Sequence, residues 1–305
     1  MEDVELSIDT IAMQAFTGVS IFSILMLMAL GLTIVFGLMG VVNMAHGELM
    51  AMGAYTTYGV SIFFQKYFPG LLNAYFLIGI FTAFVVTFFF GYFLERTIIR
   101  RLYKRPLDTM LATWGIGLIL QQLFRQFISP RPVSVPTSEW LQGSLYVTES
   151  LSFPLSRIFI IFLSITVATL LYIFLHKTRW GILIRAVTQN REMSGAAGIN
   201  QDAVNTYTFS LGCGLAGIAG SSFTMLAATA PDIGQSYIVD TFIVVVFGGV
   251  QSLFGTILSA ALIGQMQTWL EFYFSGSMAR ASILMLVIVV LYFRPNGLFY
   301  RKVRG

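Results

Sequence analysis

The sequence predicts an all-α, polytopic membrane protein with eight to ten transmembrane or re-entrant helices. Three observations carry this. First, nine apolar runs of span length recur along the 305 residues, at roughly 14 to 38, 44 to 63, 70 to 94, 107 to 128, 155 to 175, 203 to 227, 237 to 250, 256 to 273 and 279 to 293; a helix needs about 20 such residues to cross the hydrocarbon. Second, the chain is 56% hydrophobic and 10% charged, with a mean hydropathy of +0.79, outside the range of a soluble domain. Third, Lys and Arg concentrate between alternate runs, as they do when one face of a membrane protein meets the cytoplasm.

The runs justify themselves in order. The first two are divided by Gly37 and Gly40, and the seventh and eighth by Gly248, Gly249 and Gly255, so both places can hold broken or re-entrant helices. After the third run come Arg96, Arg100, Arg101, Lys104 and Arg105; after the fifth come Lys177, Arg179, Arg185 and Arg191; after the last come Arg294, Arg301, Lys302 and Arg304. The positive-inside rule makes these segments cytoplasmic, with the C-terminus among them. The acidic N-terminus (Glu2, Asp3, Glu5, Asp9), the 129 to 154 loop with Glu139 and Glu149, and the 228 to 240 loop with Asp232 and Asp240 are then outside. The net charge of +4 reflects this topology and not a nucleic-acid surface.

Composition excludes several functions. One cysteine, Cys213, allows neither a disulfide framework nor a thiolate metal cluster. No GxxxxGK[ST] loop is present, so ATP is not bound by that route, and no HExxH pattern accompanies His46 or His176. The acidic N-terminus lacks the positive n-region of a secretory signal. No polar stretch is long enough to build a core of its own, so residues 1–305 read as a single membrane domain with an inner loop, 176–202, inside it.

Polar side chains inside the apolar runs are the candidates for function, because their burial in lipid is costly. Asn43, His46 and Glu48 lie within GLMGVVNMAHGELMAMGAY; Asn43 and His46 would share a helix face, or Asn43 would cap a helix beginning at Met44. Thr113, Trp114, Gln121 and Gln122 form a second set, in which Trp114 and Gln121 are two turns apart and could line a pathway. Asp240 sits near the start of the seventh run, where it could also simply face outer water. The series Gly212, Ala216, Gly220 has small-xxx-small spacing and reads as a helix-packing face. In the inner loop a short helix is expected from Leu183 to Ala197, closed by Gly198, with the next helix capped by Asn200 or Asp202.

The blocks GLTIVFGLMGVVNMAHGELMAMGAY, RAVTQNREMSGAAGI, PDIGQSYIVDTFIVVVFGGVQSLFGT and FRPNGLF resemble the membrane subunits of branched-chain amino acid type ABC importers, over about residues 14 to 299. Within that family, ATWGIGLILQQ, RAVTQNR and PDIGQSYI look most like the urea permease subunits. One departure is Gln251-Ser252, where a second glycine is expected after GGV. The resemblance implies a transport subunit and not an enzyme. It implies a heterodimer with a second, related permease, two cytoplasmic ATPase subunits that bind ATP and Mg, and a periplasmic binding protein, in a bacterial inner membrane. It also makes Arg185, Arg191, Glu192, Ala196, Ala197 and Gly198 parts of the coupling element that seats in an ATPase.

Asn43, His46, Glu48, Thr113, Trp114, Gln121 and Asp240 are then the candidate substrate pathway. Amides, hydroxyls and carboxylates suit a neutral solute such as urea or a short amide, because Lys and Arg fall near span ends and a zwitterion needs both charges compensated. The same importer type for branched-chain or other amino acids is the alternative. An ATP-independent channel or secondary transporter using Glu48 or Asp240, and an intramembrane enzyme using His46 with Glu48, are the remaining readings; the last lacks an evident nucleophile.

Overall fold

The computed structural model describes residues 8–103, 105–147 and 151–299. Glu2, Asp3, Glu5, Lys104, Glu149, Arg301, Lys302 and Arg304 therefore lie outside the described residues.

Helix α1 (Ile8–Leu32) continues without a break into a π-helical stretch, Thr33–Leu38. A non-helical return, 39–45, leads to α2 (His46–Tyr67). Helix α3 (Tyr75–Leu94) runs into a second π turn, Glu95–Ile99, and the short α4 (Arg100–Leu102). Then come α5 (Pro106–Phe127) and a surface hairpin of β1 (Ser144–Tyr146) and β2 (Ser152–Pro154), paired antiparallel with Leu145 opposite Phe153. The hairpin is a small addition to the expected all-α architecture. Helix α6 (Leu155–Lys177) precedes α7 (Arg179–Gln189) and α8 (Arg191–Ala196); α9 (Gln201–Phe223), α10 (Ile233–Gly248), α11 (Leu253–Tyr273) and α12 (Gly276–Phe293) complete the bundle. The nine long helices among the described residues coincide with the nine apolar runs.

Five helical segments are long and apolar enough to cross a membrane by length and composition: Ile8–Leu38, Tyr75–Leu102, Leu155–Lys177, Leu253–Tyr273 and Gly276–Phe293. Helices α2, α5 and α9 have 22, 22 and 23 residues but carry more Ser, Thr, Gly and Gln. Burial explains α9, almost every residue of which is shielded by its neighbours and so does not have to suit lipid. Helix α1 is also central, its most apolar window 78% buried against 17% for α12 at the rim, yet it stays strongly apolar.

Glycines let α9 approach its neighbours at backbone distance. A Cβ at Gly217 would collide with Thr87 and Ala83 of α3, one at Gly220 with the Met50 carbonyl of α2, and one at Gly212 would lie 2.7 Å from the Gly31 carbonyl of α1. The Gly212, Ala216, Gly220 series thus serves packing, and it joins two helices instead of one. Lipid supplies no hydrophobic drive between helices, so such close contact is what holds them.

The expected breaks are present. At the α10–α11 junction, Gly249 adopts φ +99, and Ser252, the departure from the expected glycine, caps α11 by accepting the Gly255 N–H at 3.0 Å.

Replacing Gly220 by Val should destabilise the fold by about 1–3 kcal/mol through overpacking. Gly59→Ala, on a part of α2 with open space around it, should be neutral or raise stability by up to about 1 kcal/mol. Thermal unfolding midpoints of the detergent-solubilised protein measure both; equal midpoints would contradict the tight seam.

Candidate functional site

The start of α2 lies deep in the bundle. Met28 of α1, level with it, is ten residues before Leu38, or ~15 Å along the helix. His46 is fully buried and its Nε2 sits 3.2 Å from the Met28 carbonyl. A carbonyl only accepts, so Nε2 carries the hydrogen and Nδ1 of the neutral ring is a bare acceptor. Asn43 is also fully buried, and its Oδ1 accepts the Ala45 N–H at 3.1 Å. The helix therefore begins at His46, two residues later than expected, with Asn43 folding the turn that precedes it. Asn43 and His46 consequently do not share a helix face.

Helix α10 begins against the same place. A Cβ at Gly47 would strike the Gly234 carbonyl, and one at Gly234 would fall 2.7 Å from the Glu48 carboxyl carbon. Helix α5 closes the third side: Thr113 Oγ1 accepts the Met44 N–H at 3.0 Å, and a Cβ on Gly117 would be 3.4 Å from the Glu48 Cγ. Glu48 is thus wedged between α2, α5 and α10 by the absence of side chains at Gly117 and Gly234. Two helix N-termini, each a concentration of partial positive charge, meet at this junction, that of α2 with Glu48 in its first turn and that of α10 with Asp232 at its N-cap.

Three buried polar atoms there have no hydrogen-bond partner: Asn43 Nδ2, His46 Nδ1 and Glu48 Oε2. The hydroxyl of Tyr55, two turns along α2 from Glu48, is also unpartnered, with its ring 4.9 Å from that of Phe124 of α5. Leaving one such group unmade costs about 1–3 kcal/mol, and more in a charged group. Sequence reading missed Tyr55, Gly117 and Gly234, although the seven-residue spacing from Glu48 marks Tyr55.

Not every candidate joins this cluster. Thr113 and Gln121 lie on the buried face of α5, but Trp114 is 54% exposed on its outer face, so Trp114 and Gln121 do not share an environment. Gln122 is exposed as well. Asp240, expected either in the pathway or facing outer water, is buried and pairs with Arg280 of α12, its Oδ2 lying 3.8 Å from Nε.

At the basic end, the expected single helix from Leu183 to Ala197 is two helices. Asn190 takes an extended conformation (φ −151), which ends α7, and its Oδ1 caps α8 by accepting the Met193 N–H at 2.9 Å. Helix α7 starts earlier than expected, at Arg179, because Thr178 caps it. Ala196 ends α8, Ala197 returns its N–H to the Met193 carbonyl at 3.0 Å, and Gly198 leaves the helix at φ +81, a backbone setting natural only to glycine. Of the two expected caps for the next helix, Asn200 is the one used.

This double helix is tied to the bundle. Arg185 donates to the Leu175 carbonyl at 2.8 Å, and Thr188 donates to the Leu38 carbonyl at 3.1 Å, at the end of the π stretch that leads to Asn43. Arg191 binds Gln201 of α9 at 3.1 Å and lies 5.3 Å over the Tyr103 ring. Glu192 is exposed.

Beneath Arg191 is a network that sequence reading missed. Glu95 is fully buried; it accepts from Thr206 at 2.6 Å and Tyr103 at 2.8 Å, and pairs with Arg100 at 3.6 Å. Arg100 also pairs with Asp202 at 3.7 Å. Burial and the neighbouring Glu95 charge push the Tyr103 phenol well above its usual range, keeping it a donor.

Residues 14–292 match the family described as "Branched-chain amino acid transport system / permease component". The chain is 28% identical to the high-affinity branched-chain amino acid transport system permease protein LivH of Escherichia coli K12, over 94% of this chain and 95% of that protein. It is 27% identical to BraD, the corresponding permease of Pseudomonas aeruginosa, over 94% and 95%. A probable branched-chain amino acid permease of Methanocaldococcus jannaschii is 26% identical over 92% and 90%. No solved structure matches. None of these three relatives is named as a urea permease, so the urea subtype suggested by ATWGIGLILQQ, RAVTQNR and PDIGQSYI has no support from them.

Removing the buried anion in Glu95→Ala leaves Arg100 and Tyr103 without their partner and should destabilise by about 3 kcal/mol. Thr206→Ala, which removes one hydroxyl, should lose about 1 kcal/mol. Unfolding midpoints in detergent test the order; a harmless Glu95→Ala would show that the network does not hold α3 to α9.

Proposed function

The chain belongs to the branched-chain amino acid transport system permease family, and on that premise we propose that it is the membrane-spanning subunit of an ATP-driven importer of amino acids. The work of hydrolysis falls to two ATPase subunits that bind ATP and Mg, a second related permease completes the pathway, and a substrate-binding protein delivers cargo. The N-terminus is outside and the basic loops and C-terminus are cytoplasmic, in keeping with the distribution of Lys and Arg.

The observation that carries the pathway reading is the set of unpartnered polar atoms at the α2–α5–α10 junction. A folded protein keeps such groups only where something compensates for them. The free Glu48 oxygen suits an ammonium group, and the Asn43 amide with the two helix N-termini suits a carboxylate. Counting only Lys and Arg argued for a neutral solute; helix ends supply positive potential without either. This supports an amino acid zwitterion. Thr113 and Gln121 extend the lining toward Tyr55, whereas Trp114 and Asp240 act away from the junction.

The α7–α8 pair is the coupling element, with Arg185, Arg191, Glu192, Ala196, Ala197 and Gly198 shaping or presenting it. Its hydrogen bond from Thr188 to Leu38 connects it to the return segment that carries Asn43. A push on α7 by an ATPase subunit would move that segment and, with it, the start of α2. A π stretch is a natural yielding point, because its hydrogen bonds are already out of the α register.

Urea is the second reading, on the strength of the three urea-like strings, and uptake separates them. In cells expressing the complete transporter, unlabelled leucine should abolish uptake of labelled leucine while urea and short amides leave it intact. Glu48→Gln should lower that uptake at least tenfold at unchanged protein abundance. Competition by urea and not by leucine would replace the amino acid reading.

A further inference from the structure

A cavity of about 670 Å³ opens at the basic end between α3–α4, α8 and α9, lined by Arg100, Arg101, Tyr103, Arg105, Arg191 and Asp202. Its charge is unbalanced. Arg100 is compensated by Glu95 and Asp202, and Arg105 by Asp108 at 3.6 Å. Among the described residues no carboxylate lies within ion-pair distance of Arg101 or Arg191; Arg191 contacts only the neutral Gln201 and the face of Tyr103. Two guanidinium groups without a counter-charge among the described residues therefore line one cavity, a donor set suited to the oxygens of a phosphate ester.

The height of the cavity identifies the source of that phosphate. Trp180 of α7 and Tyr207 of α9 meet edge-to-face at 5.0 Å, Tyr92 of α3 lies 6.0 Å from Tyr207, and Arg96 sits 5.6 Å over Tyr92 while donating to its hydroxyl at 2.8 Å. Exposed Trp and Tyr rings gathered in this way, with a guanidinium reaching past them, mark the boundary between acyl chains and headgroups. Arg100 and Arg101 follow Arg96 by about one helical turn, and so lie at headgroup depth. We infer that this cavity holds the phosphate of an anionic phospholipid, gripped by Arg101 and Arg191 with Arg105 at its rim. The lipid would sit against Tyr103 and Arg191 and so brace the junction of α8 with α3 and α9.

Native mass spectrometry of the full-length protein released from micelles tests this with phosphatidylglycerol and phosphatidylcholine as probes. The wild type should retain phosphatidylglycerol at least fivefold over phosphatidylcholine. R101Q, which breaks no side-chain contact among the described residues, should lose most of that preference, and R101Q/R105Q should abolish it, with unfolding midpoints near wild type; Arg131→Gln should keep it. Equal retention of the two lipids, or full preference in R101Q/R105Q, would overturn the inference. So would displacement of the lipid by millimolar glycerol 3-phosphate, which would mark a soluble anion site, or loss of ATPase association in R101Q with lipid preference intact, which would mark a protein contact.

Discussion

Close contact between helix backbones at glycine is the constraint from which the rest of this structure follows. Inside a bilayer each helix satisfies its own backbone, and the hydrophobic effect does not drive one apolar helix onto another, so shape and a few polar contacts decide which helices meet. Helix α9 supplies the shape. With Gly212, Gly217 and Gly220 directed at α1, α3 and α2, it fixes those three helices at distances that no side chain would permit. The same device, at Gly47 and Gly234, brings the starts of α2 and α10 into contact and leaves Glu48 almost wholly buried between them.

That contact sets a contrast between the two ends of the chain's polar machinery. At the basic end the buried Glu95 is satisfied by Thr206, Tyr103 and Arg100, so it fastens α3 to α9 as one body. At the α2–α10 junction one polar atom each of Asn43, His46 and Glu48 lacks a partner, so this arrangement carries a cost that a ligand or a rearrangement there would relieve. Between the two lies the α7–α8 pair, bound to the network through Arg191 and to the junction through Thr188 and Leu38. The proposed coupling role rests on these two attachments of one element.

Much of this was legible in the sequence, because hydrophobic run length is a local property. The first run was expected over 14 to 38 and the helix with its π extension covers Ile8–Leu38; the fourth was expected over 107 to 128 and is Pro106–Phe127. Asn43, His46 and Glu48 stood out for a local reason too, as polar residues in an apolar stretch. What the sequence withheld were partners distant along the chain. Glu95 looked like part of a basic flank until Thr206, 111 positions away, closed on it; Asp240 looked like a loop residue until Arg280 met it; and the glycines that admit Glu48 belong to other helices. The inner-loop helix was drawn as one, because propensity did not reveal that Asn190 would end one helix and cap another.

The central claim is that the α2–α10 junction opens when the importer works. In a Cys213→Ala background, which removes the chain's single cysteine, Ala45→Cys places a thiol at a fully buried position beside Asn43. The complete transporter in proteoliposomes would be treated with a membrane-impermeant thiol reagent, at rest and while hydrolysing ATP. The junction account predicts labelling at least tenfold faster during turnover than at rest. Equally slow labelling in both states, in a variant that still transports, would contradict it.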